Sequence, residues 1–164
     1  MELVQIFNAI RDIPYKISLS NDDLAVDCDQ KHKRLAAEFK NLGVETRFRI
    51  CSFLWSSMPL PEDVLSVPHV DTCEHLFVEA YIGVRWVVLD VTWDSALRTV
   101  LPVNEWDGRS DTELAVTPIL VYPAAEEREL VHNSSEESFE KDLTDSGLFY
   151  RALNEWLESV RRKN

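Results

Sequence analysis

The spacing of apolar and polar positions changes several times along the chain, and each change marks an element. Leu3, Ile6, Phe7 and Ile10 recur at helical spacing, which predicts a short amphipathic helix over residues 2–11. Asp12-Ile13-Pro14-Tyr15 ends it, because proline disfavours helical backbone in the residue before it. Ser18 to Asp23 reads as a polar loop. Leu35, Ala36, Phe39 and Leu42 form the next helical stripe and predict a helix over about Cys28–Asn41. Asp27 or Asp23 would cap its start, and Gly43 supplies a left-handed stop.

From Val44 to Leu54 the period drops to two: Phe48 and Ile50 alternate with Arg47, Arg49 and Cys51, as in a strand. Residues 55–70 hold three prolines and predict an irregular loop. Two strands, Glu74–Ile82 and Arg85–Val91, follow as a hairpin about Gly83. Residues 98–113 read as a loop and 115–122 as a last strand, with Pro118 marking an edge or bulge. Residues 126–145 carry eight acidic and two basic side chains and predict a solvated surface stretch. A closing helix, Leu143–Val160, sets Phe149, Leu153, Trp156, Leu157 and Val160 on one face. The order predicts an α+β fold, helices packed on an antiparallel sheet, in a single domain over residues 1–164 whose C-terminal strand and helix occupy 115–162.

The composition, 45% hydrophobic and 28% charged over 164 residues, is that of a globular domain with its own core. Seventeen Lys and Arg against 29 Asp and Glu give a net charge of −12. An acidic protein of this balance has little to offer a nucleic-acid backbone or an anionic membrane surface, both of which attract clustered cations. No apolar run approaches the roughly 20 residues of a membrane span. MELVQIFNAIRDIPY lacks the basic leader and apolar length of a signal peptide. Three cysteines, an odd number spaced 23 and 22 apart, do not make a disulfide framework and point to a reduced, cytoplasmic protein.

Candidate chemistry centres on Cys28, His75 and Asp90. A cysteine at a helix start meets unpaired N–H groups and the positive end of the helix dipole, which favour thiolate and oxyanion. In HLFVEAYIGVRWVVLD, a turn at Ile82-Gly83 sets His75 directly opposite Asp90, and a turn at Gly83-Val84 makes them diagonal neighbours on the same face. In either register the carboxylate can fix the imidazole tautomer and leave the other ring nitrogen free to take a thiol proton.

Two other patterns compete. His69, Asp71, Cys73 and His75 alternate in HVDTCEH. Successive ligands on an extended strand stand about 6.5–7 Å apart, whereas zinc needs donors at about 2.0–2.3 Å. Without a turn at Asp71-Thr72 they cannot close round one ion, and no metal site is expected. Cys28 and His32, four residues apart on a helix, form a second metal-type pair, with His32 otherwise a polar neighbour of Lys31 and Arg34. No calcium-ligand loop is present in the sequence. Trp55 and Trp106 read as partly buried tryptophans of ordinary surface loops, and they and the acidic stretch are the places where a partner surface would otherwise lie; Cys51 and Cys73 read as buried or incidental thiols.

Three blocks in order resemble the transglutaminase-like superfamily, in the manner of a small bacterial or archaeal-type member. IRDIPY is similar to the lead-in before the family's cysteine, and DCDQKHKRLAAEFKNLGVETRF to its cysteine helix, leucine-glycine turn and arginine-bearing strand. HLFVEAYIGVRWVVLDVTWD is similar to its histidine strand, tryptophan-bearing return strand and aspartate ending. The resemblance covers about residues 10–93. It departs from the family at Val26, where a small residue is usual, at Phe77, commonly tryptophan, and at Val91, usually proline.

The resemblance implies a papain-like core with Cys28, His75 and Asp90 as catalytic triad, Trp93 at the substrate wall and no cofactor. It also implies thiol-dependent acyl transfer or hydrolysis on an amide of a protein or peptide substrate. The alternative is a catalytically inert module of the same fold that binds a peptide or protein.

Overall fold

A computed structural model describes residues 2–20, 23, 25–123 and 136–163. In chain order these form α1 (Glu2–Arg11), α2 (Cys28–Asn41), β1 (Thr46–Leu54), the single turn α3 (Glu62–Leu65), β2 (Thr72–Ile82), β3 (Arg85–Leu89), β4 (Leu120–Val121) and α4 (Glu136–Arg161). The strands make one antiparallel sheet in the order β3-β2-β1-β4. The fold is therefore α+β, with helices packed on an antiparallel sheet. No helix among the described residues is long and apolar enough to cross a membrane.

The sheet separates two cores. On one side Phe7, Ile10, Leu35, Ala36 and Phe39 of α1 and α2 pack on Val78, Ala80, Val87 and Leu89 of β2 and β3. On the other, Phe53, Trp55, Phe77 and Trp93 meet Phe149, Leu153 and Leu157 of α4. β2 is thus buried on both faces from His75 to Ala80, and the strict in-out alternation of a one-sided strand is lost there.

Helix α2 has the bounds its periodicity predicts, with Asp27 as the cap accepting from the Gln30 N–H and Gly43 beyond it at φ +77°. Its buried stripe differs from the expected one. Leu42 lies past the last turn and is exposed, while Lys31 and His32 are buried with Leu35, Ala36 and Phe39.

Other boundaries moved for local reasons. The 55–70 segment is not wholly irregular, since it holds a 3-10 turn at Trp55–Ser57 and α3, and it buries Met58, Leu60 and Val64. The expected 115–122 strand shrinks to Leu120–Val121, because the Ala115 backbone is bonded to Asp90 and Trp93 instead of to the sheet. α4 starts before Leu143; its early turns are polar and supported by an i,i+4 pair of Lys141 with Asp145. Of the acidic stretch, residues 126–135 lie outside the described residues. Trp55 and Trp106, by sequence partly buried loop tryptophans or candidates for a partner surface, are buried at 3% and 5% exposure, the first among Phe53, Phe149 and Tyr150 and the second against Phe7 and Phe39.

Lys31 ties α2 to the end of the hairpin. Its Nζ donates to the carbonyls of Arg11 at 2.7 Å and Thr92 at 2.8 Å, with no exposed surface. Burial brings its pKa down from 10.5 to about 7, against the opposing pull of Asp94 and Asp90. A neutral amine still has two N–H donors, enough for both carbonyls. Between pH 7 and 10.5 the unfolded chain holds this proton and the folded chain does not, so the group's contribution to stability rises with pH across that window. Paired thermal melts of wild type and Lys31→Met should show the difference moving in favour of wild type from pH 7 to 9.5. A difference flat over that range would show that Lys31 keeps its charge when folded.

Candidate functional site

The hairpin turn decides how His75 and Asp90 meet. Gly83 has φ +65°, and a two-residue turn with glycine first pairs Ile82 with Arg85. Continued past the ladder, that register sets Asp90 opposite Phe77 and makes His75 its diagonal neighbour, the second of the two arrangements the spacing allowed. The side chains meet: His75 Nε2 lies 2.7 Å from Asp90 Oδ2, with both residues buried.

Asp90 has no exposed surface and accepts from every side. Oδ2 takes the His75 Nε2–H and the Ala115 N–H at 2.8 Å; Oδ1 takes the Thr92 N–H at 3.0 Å and the Thr92 hydroxyl at 2.6 Å. Its backbone is held too, the N–H donating to Thr112 Oγ1 and the carbonyl accepting from Asn104 Nδ2. Burial acts to raise its pKa, but His75 outweighs burial and holds the carboxyl well below the usual carboxylate range. An ionised carboxylate only accepts, so His75 Nε2 carries the proton and Nδ1 is the basic nitrogen of the neutral ring.

Cys28 and His75 line one cavity of about 180 Å³ where the starts of α2 and β2 come together under α4. Trp93 forms part of its wall, with Tyr15, Phe53 and Trp55. The Trp93 indole is fixed by donation to the Ala115 carbonyl and an edge contact with Tyr15. Tyr15 is held in turn by Asp94, which accepts its N–H and pairs with Arg161 of α4 at 2.7 Å. A larger open groove of about 790 Å³ runs between Ile13–Lys16 and the last turns of α4. It shares only Tyr15 with the first and contains neither cysteine nor histidine.

The ionisation of Cys28 runs against the sequence expectation. Burial pushes its thiol well above the ordinary value, and the carboxylates of Asp27 and Asp29 push it further, while the backbone N–H of Leu76 pulls the other way. The helix start is already occupied by an anion, because the capping carboxylate Asp27 takes the Gln30 N–H. Burial likewise raises the thiols of Cys51 and Cys73 to about 12.

The alternating residues of the metal-type pattern each have other partners. His69 stacks on Phe149 at 4.0 Å and donates to the Val67 carbonyl, Asp71 accepts from Ser56, Cys73 Sγ donates to the Glu74 carbonyl, and His75 is taken by Asp90. Among the described residues no group of three His, Cys, Asp or Glu side chains is placed to hold a metal ion.

Sequence reasoning missed the support around the site. His32, by sequence a polar neighbour or half of a metal pair, is fully buried with both nitrogens bonded, and the supporting roles of Thr92 and Lys31 have no local sequence signal. The i,i+4 spacing of Cys28 and His32 was the available signal. Comparison with known proteins matched no family model, no curated protein and no solved structure.

Two outcomes test this geometry. Asp90→Asn would turn an N–H₂ toward groups that donate, and should destabilise the fold by about 1–3 kcal/mol in urea unfolding. Iodoacetamide alkylation of Cys28, followed by peptide mass spectrometry, should titrate above the roughly 8.5 of a free thiol. Asp27→Asn, which keeps a capping side chain, should lower that midpoint. A wild-type midpoint at or below the free-thiol value would contradict the effect of burial, and a midpoint unmoved in Asp27→Asn would contradict the role given to Asp27.

Proposed function

We propose that the chain is a thiol-dependent acyl-transfer or hydrolytic enzyme acting on amide carbonyls of proteins or peptides, with a transglutaminase-like, papain-type core. The observation that carries this reading is the buried 2.7 Å bond from His75 to Asp90, with His75 and Cys28 on one cavity. In this mechanism His75 Nδ1 takes the Cys28 proton as the sulfur attacks the carbonyl carbon, and a tetrahedral oxyanion forms. The Cys28 backbone N–H, in the first turn of α2 and outside the intrahelical ladder, helps bind that oxyanion. The C–N bond then breaks, the leaving amine takes the proton from His75, and a thioester remains on Cys28. An amine or water ends the cycle by attacking the thioester, its proton passing to His75 and then to the departing thiolate. Asp90 orients the ring throughout and stabilises the imidazolium without taking its proton.

A Cys28 thiol raised by burial fits a base that works at the moment of attack and not a stored thiolate. The same elevation favours the second reading, a peptide-binding module of this fold without turnover.

A glutamine-containing peptide with hydroxylamine as acceptor separates the two. The enzyme reading expects hydroxamate and a thioester adduct on Cys28 by mass spectrometry. Cys28→Ala should abolish both, and His75→Ala should slow the reaction roughly 10²–10⁴-fold. Activity surviving in Cys28→Ala would remove Cys28 from the mechanism. Peptide binding without any adduct, in folded wild type, would establish the module.

A further inference from the structure

We infer that His32 is a positioning residue of this site, clamping the backbone of Cys28 to the strand end that carries Asp90. The inference rests on the acyl-transfer reading above for its consequence, and on geometry for the clamp itself. His32 Nδ1 lies 2.7 Å from the Cys28 carbonyl, which can only accept, so Nδ1 carries a proton. Nε2 then has the lone pair, and it accepts the Val91 N–H at 3.1 Å. The two bonds fit one neutral tautomer. They link the first residue of α2 to the residue following Asp90, with a single rigid ring as the spacer.

The surroundings make the tautomer matter. The ring has no exposed surface, stands edge-on to the His75 ring with centroids 5.9 Å apart, and places Nε2 3.5 Å from Asp90 Oδ1. Were Nε2 protonated, the Val91 N–H would lose its acceptor, and a donor would compete for the carboxylate that His75 needs. Burying an imidazole here is tolerable because both nitrogens are bonded, and an apolar residue at this position would leave the Val91 N–H unpaired. Lys31, the next residue along α2, holds the Thr92 carbonyl one step further on. Consecutive buried polar residues of α2 therefore grip consecutive residues beyond Asp90. A shift of about 1 Å between groups that must react can cost on the order of 10²-fold in rate, which is what a clamp at this place prevents.

Half-replacements divide the role. His32→Asn can keep the donor to the Cys28 carbonyl and loses the acceptor for Val91; His32→Gln can keep the acceptor and loses the donor; His32→Phe loses both. The probe is p-nitrophenyl acetate, with acylation of Cys28 followed by stopped-flow and mass spectrometry, and each variant's melting temperature measured alongside. The expected result is a fall in the acylation rate of roughly ten-fold or more in each half-replacement and a larger one in His32→Phe, with the saturating concentration of ester unchanged. Folded variants that melt lower and acylate at the wild-type rate would reduce His32 to a structural residue and overturn the proposal.

Because substitutions at a buried site can prevent folding, ¹⁵N imidazole shifts of the wild-type chain give an independent check. His32 should show a protonated Nδ1 and an unprotonated Nε2 at neutral pH, and an Nε2–H tautomer would overturn the clamp. Absence of any acylation of wild-type Cys28 would instead defeat the acyl-transfer reading, leaving the tautomer to decide the clamp.

Discussion

A carboxylate with no contact with water costs several kcal/mol unless its oxygens are fully bonded. Asp90 meets that condition from three separate parts of the chain. The β2 histidine, the turn that follows Asp90 itself and the Ala115 segment each supply donors to its two oxygens. Removing any one contributor would leave a lone pair facing an apolar interior. The hairpin, the turn after Asp90 and the loop through Ala115 are therefore mutually required. This constraint also sets the chemistry, since a carboxylate held in the ionised form keeps the His75 proton on Nε2.

The helix that carries Cys28 is fitted to the same centre by polar residues instead of by packing alone. Lys31 and His32 occupy positions where an amphipathic helix would ordinarily bury leucine or valine, and their partners include main-chain groups of Thr92 and Val91, the two residues after Asp90. Directional bonds to fixed backbone groups allow less sliding than apolar contacts of similar area. From the opposite side Arg161 of α4 is anchored to Asp94, which also accepts the Tyr15 N–H, so that Tyr15 and Trp93 are held against the cavity. Two helices distant in sequence thus converge on one short stretch, Asp90 to Asp94.

The electrostatic state of Cys28 shows how a local rule is overridden. A helix N-terminus favours an anion, but only one anion need satisfy it, and here that is the Asp27 cap. Burial, with the cap carboxylate next to it, pushes the thiol well above its ordinary value. In the proposed mechanism activation comes from the His75 imidazole instead of from the helix start.

Much of this was legible in the sequence because it depends on near neighbours. Side chains alternate along a strand with a period of two, so His75 and Asp90 share a face in both registers the turn permitted, and their meeting did not depend on choosing between them. The bounds of α2, its Asp27 cap and the Gly43 stop follow from spacing and local hydrogen bonding in the same way. What the tertiary structure decided are the properties set by residues far along the chain. Trp55 and Trp106 became core when α4 and α1 covered them. β4 shortened when Ala115 was drawn to Asp90. His32 acquired a defined tautomer from Val91, 59 residues away, and the Cys28 thiol was raised by burial that no helix position reveals. Periodicity encodes which face a side chain occupies; desolvation and hydrogen-bond direction depend on what that face meets, and only the folded chain determines that.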